Sequence, residues 1–509
     1  MKKATLKPSI IFQDNMVIQR DKPFVIWGSA PENSTVKISI QGQTTEARVK
    51  DEKWSIKLEP LSVSTNETLT LSTREETLIL KNICIGEVWL AGGQSNMEFF
   101  MRYEQSFSEA IKYAENSEIR FFDYPEVSYE EELDEYDFSK YGFWRTCNPS
   151  NLEYFSAVGF YFAQKIQKEL NVPVGIIGCN WGGTPACAWM SRKALESNSG
   201  KIWLKDYDSA VKNLDIDEYN RKFFANRWNI KNDMFADKVG DRLMFGMELD
   251  EMKDFMKSPD YNNSPPLVGP KDPNRPCGLY NTMLLKLAPF AVRGFLWYQG
   301  ESDDKHPEIY DEVLSSLIQC WRDTWAEELP FLFVQLAPFH KWLDCGAQCY
   351  PVLRRMQQKV SETVNNCWMA SIMDSGMEFD IHPKNKKIVG ERLALLAEGH
   401  VYNKTVFCDS PEFESAKKDG AKLELFFANC ARGLKVEGKV IDSLEVYDNG
   451  MLLKDFTTAV DGNKIVLEGE YFKSAKDLSI KFAEKDYCKV NLFNSANLPA
   501  KPFSCTNCQ

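Results

Sequence analysis

The sequence predicts an α/β protein in which a mainly parallel sheet covered by helices is flanked by two β-sandwich-like domains. Three observations predict it. Residues 1–82 carry short runs that alternate apolar and polar side chains, the period-2 signature of half-buried strands. Residues 83–404 switch to continuous apolar runs alternating with helical periodicity, which implies parallel strands joined by helical crossovers. Over 405–509 the strand pattern returns. At 509 residues the chain is too long for one hydrophobic core, and three domains fit that length.

In the first segment the predicted strands are 24–28, 35–40, 54–58 and 68–72, with turn residues between them, a spacing that suggests a small sandwich. The middle segment predicts buried strands at 88–91, 172–177, 292–297, 331–336 and 367–373. Helical periodicity covers 153–170, 309–327, 352–364 and 384–398. The stretch 191–276 fits this alternation poorly. It is rich in Lys, Asp, Asn and aromatics and ends in a Pro-rich run, so it is read as a largely helical insertion bordering a cleft. In the last segment, strands are expected at 423–427, 444–447, 465–467 and 478–482, with Asp448-Asn-Gly450 as a hairpin turn.

The bulk composition excludes several classes. A net charge of −12 argues against a nucleic-acid or anionic-membrane binder, since both need basic patches. No run of about 20 apolar residues could span a bilayer, and Met1-Lys-Lys lacks the apolar stretch of a signal peptide, so the expectation is a cytoplasmic protein. The 14 cysteines show no framework spacing, and Cys84, Cys320 and Cys367 lie in apolar runs, as small buried hydrophobes do. Cys345-x3-Cys349 and Cys505-x2-Cys508 are the close pairs; neither has a partner pair and there is no His-Glu-x-x-His, so no metal is expected.

Chemistry is sought in loops that follow strands, because ligands of parallel sheets bind beyond the strands' carboxyl ends. The stretch Gly86-Glu-Val-Trp-Leu-Ala-Gly-Gly-Gln-Ser-Asn-Met-Glu98 reads as a buried strand, a glycine pair and the start of a helix. There Ser95 is either an N-cap or a nucleophile whose oxyanion is met by backbone donors. Trp181-Gly-Gly follows the strand 172–177 and could bring N–H groups to a ligand, and the Gln299 amide follows the strand 292–297. A serine hydrolase needs a base, and the chain holds four histidines. His306 sits in a solvated Asp-Asp-Lys-His-Pro loop, His340 lacks a local acid, and His400 follows a helix as a cap partner. His382 stands apart: Phe379-Asp-Ile-His-Pro383 lies on a strand-to-helix loop with Asp380 two positions earlier, and Pro383 can open the next helix.

Taken together these blocks resemble the sialate O-acetylesterases of the SGNH-hydrolase superfamily, and the resemblance runs nearly end to end. It rests on Phe12 to Arg20, on Gly86 to Glu98, on Asn180-Trp-Gly-Gly-Thr-Pro-Ala-x-Ala-Trp189 and on Gly278-Leu-Tyr-Asn-x-Met283. Gly294-x-x-Trp-Tyr-Gln-Gly-Glu-Ser302, Asp380-Ile-His-Pro-x-x-Lys386 and the block Asn491 to Phe503 complete it.

The resemblance implies a three-layer α/β/α hydrolase domain, no cofactor, and an O-acetylated sugar as the partner. It implies Ser95 as nucleophile and His382 as base then acid, with oxyanion donors from the Ser95 N–H, a Gly182 or Gly183 N–H and the Gln299 side chain. The superfamily's aspartate three residues before the histidine is replaced here by Phe379. Asp380 is a candidate to orient His382, and Asp374, Glu301 or a backbone carbonyl are the others. Trp181 and Tyr298, with Trp189 and Trp297, either stack on a sugar or pack the strand ends. Glu301 is a further substrate-binding candidate. A sialate carboxylate favours an arginine in the pocket, for which Arg354 and Arg355 are candidates. Acetylated xylan or xyloglucan is the alternative substrate. A non-catalytic sugar binder has no need of serine, amide and histidine on separate loops, and a lipase is disfavoured because Gly-x-Ser-x-Gly is missing.

Overall fold

Strand Thr77–Gly93 (β1) organises the first half of the chain. In its early part burial alternates, Leu78 and Leu80 being turned inward and Thr77, Ile79 and Lys81 exposed, and the strand pairs antiparallel with Ser64–Ser72 of the N-terminal β region. From Ile83 onward every residue is buried, because strands flank it on both sides and apolar layers cover both faces. The position expected as a domain boundary, residue 82, therefore falls inside one continuous strand. Glu87 is the charged exception in that buried run. Its carboxylate takes Arg20 Nε at 2.6 Å and Arg293 Nε at 2.7 Å, so a buried charge is paired twice and fastens two other segments to β1. Burial works to raise the Glu87 carboxyl, and the Arg293 and Arg20 guanidiniums outweigh it and hold it below the usual range.

The structure, a computed structural model, describes residues 5–135, 138, 140–225, 238–259, 261 and 267–506. These fall into two compact units, the first within Met1–Asp241, Asn263–Gln299 and Glu312–Phe331, the second within Arg242–Asn262, Gly300–Asp311 and Leu332–Gln509.

In the first unit, Asn116–Asp123 (β2), Trp144–Cys147 (β3), Val174–Asn180 (β4) and Gly294–Tyr298 (β5) join β1 in the order β3-β2-β4-β1-β5. Only β3 runs antiparallel; β2, β4, β1 and β5 are parallel. Register decides where the site lies. Gly93 pairs with Asn180 on one side and with Tyr298 on the other, so the loops after β4, β1 and β5 leave the sheet at one level. The N-terminal strands Phe24–Ser29, Thr35–Ile40, Lys53–Leu58 and Ser64–Ser72 occupy the expected places. After the one-turn helix Ser95–Glu98 (α1), the helix expected over 153–170 is realised as Ala157–Leu170 (α2). It starts late because the Ser156 hydroxyl caps the Gly159 N–H at 3.0 Å, and it stops at Asn171 in the left-handed region.

The second unit continues with helix Tyr350–Thr363 (α3), strand Cys367–Ala370 (β6) and helix Lys386–Leu396 (α4). Its C-terminal part is two four-stranded antiparallel sheets with a shared core of Leu423, Leu425, Phe427, Val446, Ile465 and Ile480. The Asp448-Asn-Gly450 turn joins Leu444–Asp448 to Met451–Leu453, with φ of 48° at Asn449 and 76° at Gly450, as a hairpin with a right-handed twist requires.

The stretch 191–276 is helical over Arg192–Glu196, Lys201–Val211, Ile216–Ala225, Lys238–Phe245 and Leu249–Phe255, while its Ser264-Pro-Pro run lies outside the described residues. Cys84, Cys320 and Cys367 are buried; Cys345 is exposed, Cys349 and Cys505 are half-buried, and Cys508 lies outside the described residues. Among the described residues no helix is long and apolar enough to cross a membrane.

Candidate active site

Two glycines set the position of Ser95. A Cβ on Gly92 would stand 2.5 Å from the Trp321 ring, and one on Gly93, at φ +133°, 2.2 Å from the Tyr298 carbonyl oxygen. Only glycine lets β1 pass that close to its neighbours and turn. Gln94 then donates its N–H to the Tyr298 carbonyl at 3.1 Å, and α1 begins at Ser95. Gln94, not Ser95, is the residue that precedes the helix, and the Gln94 side chain does not cap it. The N-cap reading of Ser95 is thereby set aside. Its hydroxyl belongs to a part-buried residue at the carboxyl end of the central strand.

The loop after β4 comes alongside. The Trp181 N–H donates to the Gly93 carbonyl at 3.1 Å, and a Cβ on Gly182 would sit 3.3 Å from Ser95 Cβ. The Gly182 N–H is not left for a ligand, because it donates to Glu98 Oε2 at 2.9 Å. That corrects the expectation of an oxyanion donor at Gly182 and leaves Gly183, exposed and at φ +75°, as the candidate donor of this turn. Glu98 is a residue the sequence reading missed, although it stood in the serine block; its i,i+3 position on a single helical turn was the available signal. After β5, Gln299 is fully buried, and its Nε2 donates to the Thr184 carbonyl at 3.2 Å, which fixes the amide against the same turn. Within the first unit the structure thus assembles Ser95, the Gly182-Gly183 turn and Gln299 from three adjacent parallel strands. A hydroxyl beside a glycine turn and an oriented amide combines a nucleophile with the kind of N–H donors that a tetrahedral oxyanion requires.

His382 lies in the second unit and is only 4% exposed. Asp380 Oδ1 accepts the His382 backbone N–H at 2.8 Å, and the same oxygen lies 3.6 Å from Nδ1. That second contact is electrostatic, being too long for a hydrogen bond. Lys384 Nζ sits 2.8 Å from Asp380 Oδ2 and also donates to the Met244 carbonyl at 2.6 Å. The Trp342 ring meets the imidazole edge-on at 5.0 Å. Burial drives the His382 imidazolium below its ordinary range, and Asp380 offsets only part of this, so the ring is held neutral. Asp380 stays ionised below the usual carboxylate range: burial opposes this, and the nearby imidazole and the Lys384 ammonium outweigh it. A neutral buried imidazole beside a carboxylate can take up a proton as a base.

Of the other orienting candidates, Asp374 is held by Arg392 at 2.6 and 2.7 Å, a two-pronged pair that commits its carboxylate elsewhere. Pro383 does not open α4, because Asn385 is the cap, accepting the Ile388 N–H.

The remaining sequence candidates divide. Trp181 is part-exposed, whereas Trp189, Trp297 and Tyr298 are fully buried, Trp297 meeting Trp321 edge-on at 5.4 Å; these three are core aromatics, which corrects the sugar-stacking role expected of Tyr298. Glu301 is 9% exposed and its charge helps to raise the buried Tyr350 hydroxyl, after burial itself. Arg354 is also corrected. It is completely buried, and its guanidinium donates to the carbonyls of Lys485 at 2.6 Å and Asp486 at 2.8 Å, so it braces the chain instead of meeting a substrate carboxylate. Arg355 pairs with Glu484. His340, which has no acid nearby in sequence, has Asp486 Oδ2 at 2.6 Å from Nδ1, a partner 146 residues away that no local pattern announces.

Comparison with known proteins agrees with this chemistry. The family described as "Carbohydrate esterase, sialic acid-specific acetylesterase" matches residues 272–396, the stretch that holds Gln299, Glu301, Asp380 and His382. The chain is 27% identical to the sialate O-acetylesterase of Mus musculus, over 76% of this chain and 72% of that protein. It is 25% identical to that of Homo sapiens, over 76% of this chain and 70% of that protein. Among solved structures, a carbohydrate acetylesterase from Xanthomonas citri aligns with a TM-score of 0.74 at 25% identity, over 98% of this chain and 99% of that one.

Proposed function

We infer that this chain is a sialic acid-specific acetylesterase of the carbohydrate esterases and removes O-acetyl groups from sialic acid. The observation that carries the reading is the convergence of Ser95, the Gly183 turn and the buried Gln299 amide at one end of three parallel strands. In this reading Ser95 Oγ attacks the acetyl carbonyl while His382 takes its proton. The Ser95 and Gly183 N–H groups and the Gln299 amide hold the oxyanion. The sugar oxygen departs with the proton from His382, and a water activated by the same imidazole then releases acetate and restores Ser95.

A second reading, an acetylesterase for neutral glycans such as xylan, is favoured by one observation. Of the two arginines that sequence offered for a sialate carboxylate, Arg354 is buried and committed to backbone carbonyls and Arg355 is paired with Glu484. Acetate release from O-acetylated sialic acid and from acetylated xylo-oligosaccharide, run in parallel, separates the two. Wild type is expected to cleave the sialate, with Ser95→Ala and His382→Ala folded and inactive. Cleavage of the xylo-oligosaccharide alone keeps the mechanism and replaces the substrate. Full activity in Ser95→Ala overturns both readings.

A further inference from the structure

We propose that His400, Cys408 and Asp409 form a binding site for a thiophilic divalent cation, zinc being the fitting ion, separate from the residues assigned to the esterase chemistry. His400 Nε2 lies 3.0 and 3.1 Å from the two Asp409 carboxylate oxygens and 3.3 Å from Cys408 Sγ. Cys408 Sγ is 3.5 Å from Asp409 Oδ2, and one ligand atom from each residue falls within a 4.8 Å cluster.

The geometry distinguishes a metal site from a catalytic relay. In a relay the carboxylate and the thiol occupy opposite nitrogens of the imidazole, so that a proton can pass across the ring. Here both converge on the same nitrogen, Nε2. Without a metal, the Asp409 carboxylate can accept both the Nε2 proton and the thiol proton; a cation placed among the three atoms would replace those protons and be bound by all three. Zinc bonds of about 2.0–2.3 Å in a tetrahedron put neighbouring ligand atoms about 3.3–3.6 Å apart. The observed separations of 3.0–3.5 Å need only a small expansion to reach that. One sulfur, one imidazole nitrogen and one carboxylate suit zinc better than magnesium or calcium, which prefer oxygen alone.

The surroundings are built to keep this arrangement. His400 sits in the π-helical turn Ala397–Val401 that ends α4, a widened turn of a kind common at functional sites. The Trp368 ring stacks on the imidazole at 4.6 Å and 10°, fixing its plane. A Cβ on Gly399 would lie 2.4 Å from Cys408 Sγ, so glycine is what leaves the sulfur its place. The Asp409 carbonyl accepts from Asn494 Nδ2 at 3.0 Å, which anchors the third residue to the C-terminal β region. Cys408 is nearly buried while the His400 and Asp409 side chains are 25% and 35% exposed, giving an ion a way in and leaving a fourth position for water. On binding, the Cys408 thiol proton leaves to solvent as the sulfur–metal bond forms, with no change of oxidation state. The bound ion would tie the end of α4 to the chain entering the C-terminal sheets.

The test uses the full chain with Cys345, Cys349, Cys505 and Cys508 changed to serine, so that exposed or terminal thiols do not bind metal. After stripping with a chelator, the protein is reloaded with zinc, desalted and assayed for metal, and a parallel sample is loaded with cobalt. The expected result is about one zinc per chain, a thiolate-to-cobalt charge-transfer band, and a higher melting temperature with zinc. Cys408→Ser should lose the band, and His400→Ala or Asp409→Asn should lose most of the retained zinc. Equal zinc in all variants, or none retained by the parent, overturns the proposal. Should a variant fail to fold, the parent's cobalt spectrum decides: a spectrum without a thiolate band overturns the site.

Discussion

Asp380→Asn probes the histidine side of the site most directly, because asparagine keeps the shape and removes only the charge. The retained side-chain oxygen can still accept the His382 backbone N–H, now at 2.8 Å, so the local turn survives. What is lost is the partner of Lys384, whose ammonium lies 2.8 Å from Oδ2 with only 12% of its side chain exposed. Breaking a buried pair by removing one partner costs about 3–5 kcal/mol. Lys384 keeps its hydrogen bond to the Met244 carbonyl, which places the expected loss near the lower bound, about 3 kcal/mol.

The pH dependence has a definite sign. Asp380 is held below its ordinary range, so its stabilisation is full above the unfolded carboxyl's range and is lost as pH falls through the folded value. The stability gap between wild type and variant should therefore be present at pH 7 and close below about pH 4. In catalysis the Asp380 charge is what partly offsets burial at His382, so removing it lowers the imidazolium still further. The acid limb of kcat/KM should move to lower pH while the plateau falls by about 10²–10⁴-fold. Acetate release across pH, beside denaturant unfolding of the same samples, reads both effects. A lower plateau with an unmoved acid limb would refute the orienting role and leave Asp380 as a purely structural ion-pair partner.

Three further outcomes are expected. Gln299→Leu should lower kcat by about 10²–10³-fold with little change in KM; an unchanged kcat in steady-state assays removes the amide from the oxyanion set. Arg354→Met leaves the Lys485 and Asp486 carbonyls without their buried donor, and should cost about 1–3 kcal/mol per carbonyl in urea unfolding with KM for a sialate ester unmoved. A raised KM at full stability would restore the substrate-binding role. Glu98→Gln, which still offers an acceptor to the Gly182 N–H, should stay within about tenfold of wild type, whereas Glu98→Ala should lose about 10²-fold as the turn shifts; equal kcat in the two variants would show that the Glu98 contact does not position the turn.

Period and punctuation made most of the fold legible. The alternation at 35–40 and the continuous apolar run through Ile83 to Ala91 each report what lies on the two faces of a strand, and that is local information. The glycine pair at 92–93 was legible for the same reason: a close approach of backbone leaves a mark at the residue that must be small. Partner choice was not legible. Nothing near Arg354 says that its acceptors lie some 130 residues on, and nothing near His340 points to Asp486. The continuity of β1 was hidden because its two halves obey different periods, one face covered in the first and both in the second. Arg354 misled for a physical reason: sequence statistics put arginine on a helix surface, and only multiple backbone acceptors make its burial tolerable.

Glu98 changes how the serine side of the site should be understood. A carboxylate close to a developing oxyanion would repel it, so a reading with Glu98 next to Ser95 has to account for that charge. The structure does so through the Gly182 N–H, which is directed at Glu98 and away from any substrate oxygen. Through that contact the carboxylate acts on the turn: it holds Gly182 where a Cβ would lie 3.3 Å from Ser95 Cβ, next to Gly183 at φ +75°. Gln299 reaches the same turn from the other side through the Thr184 carbonyl. The Gly182 to Thr184 turn is thus held by two side chains that act on backbone, Glu98 from the serine helix and Gln299 from the strand beyond it. Under the proposed mechanism, preorganisation of this kind lets the donors act without reorganising as charge develops, which gives the glutamate of the serine block a role beside its serine.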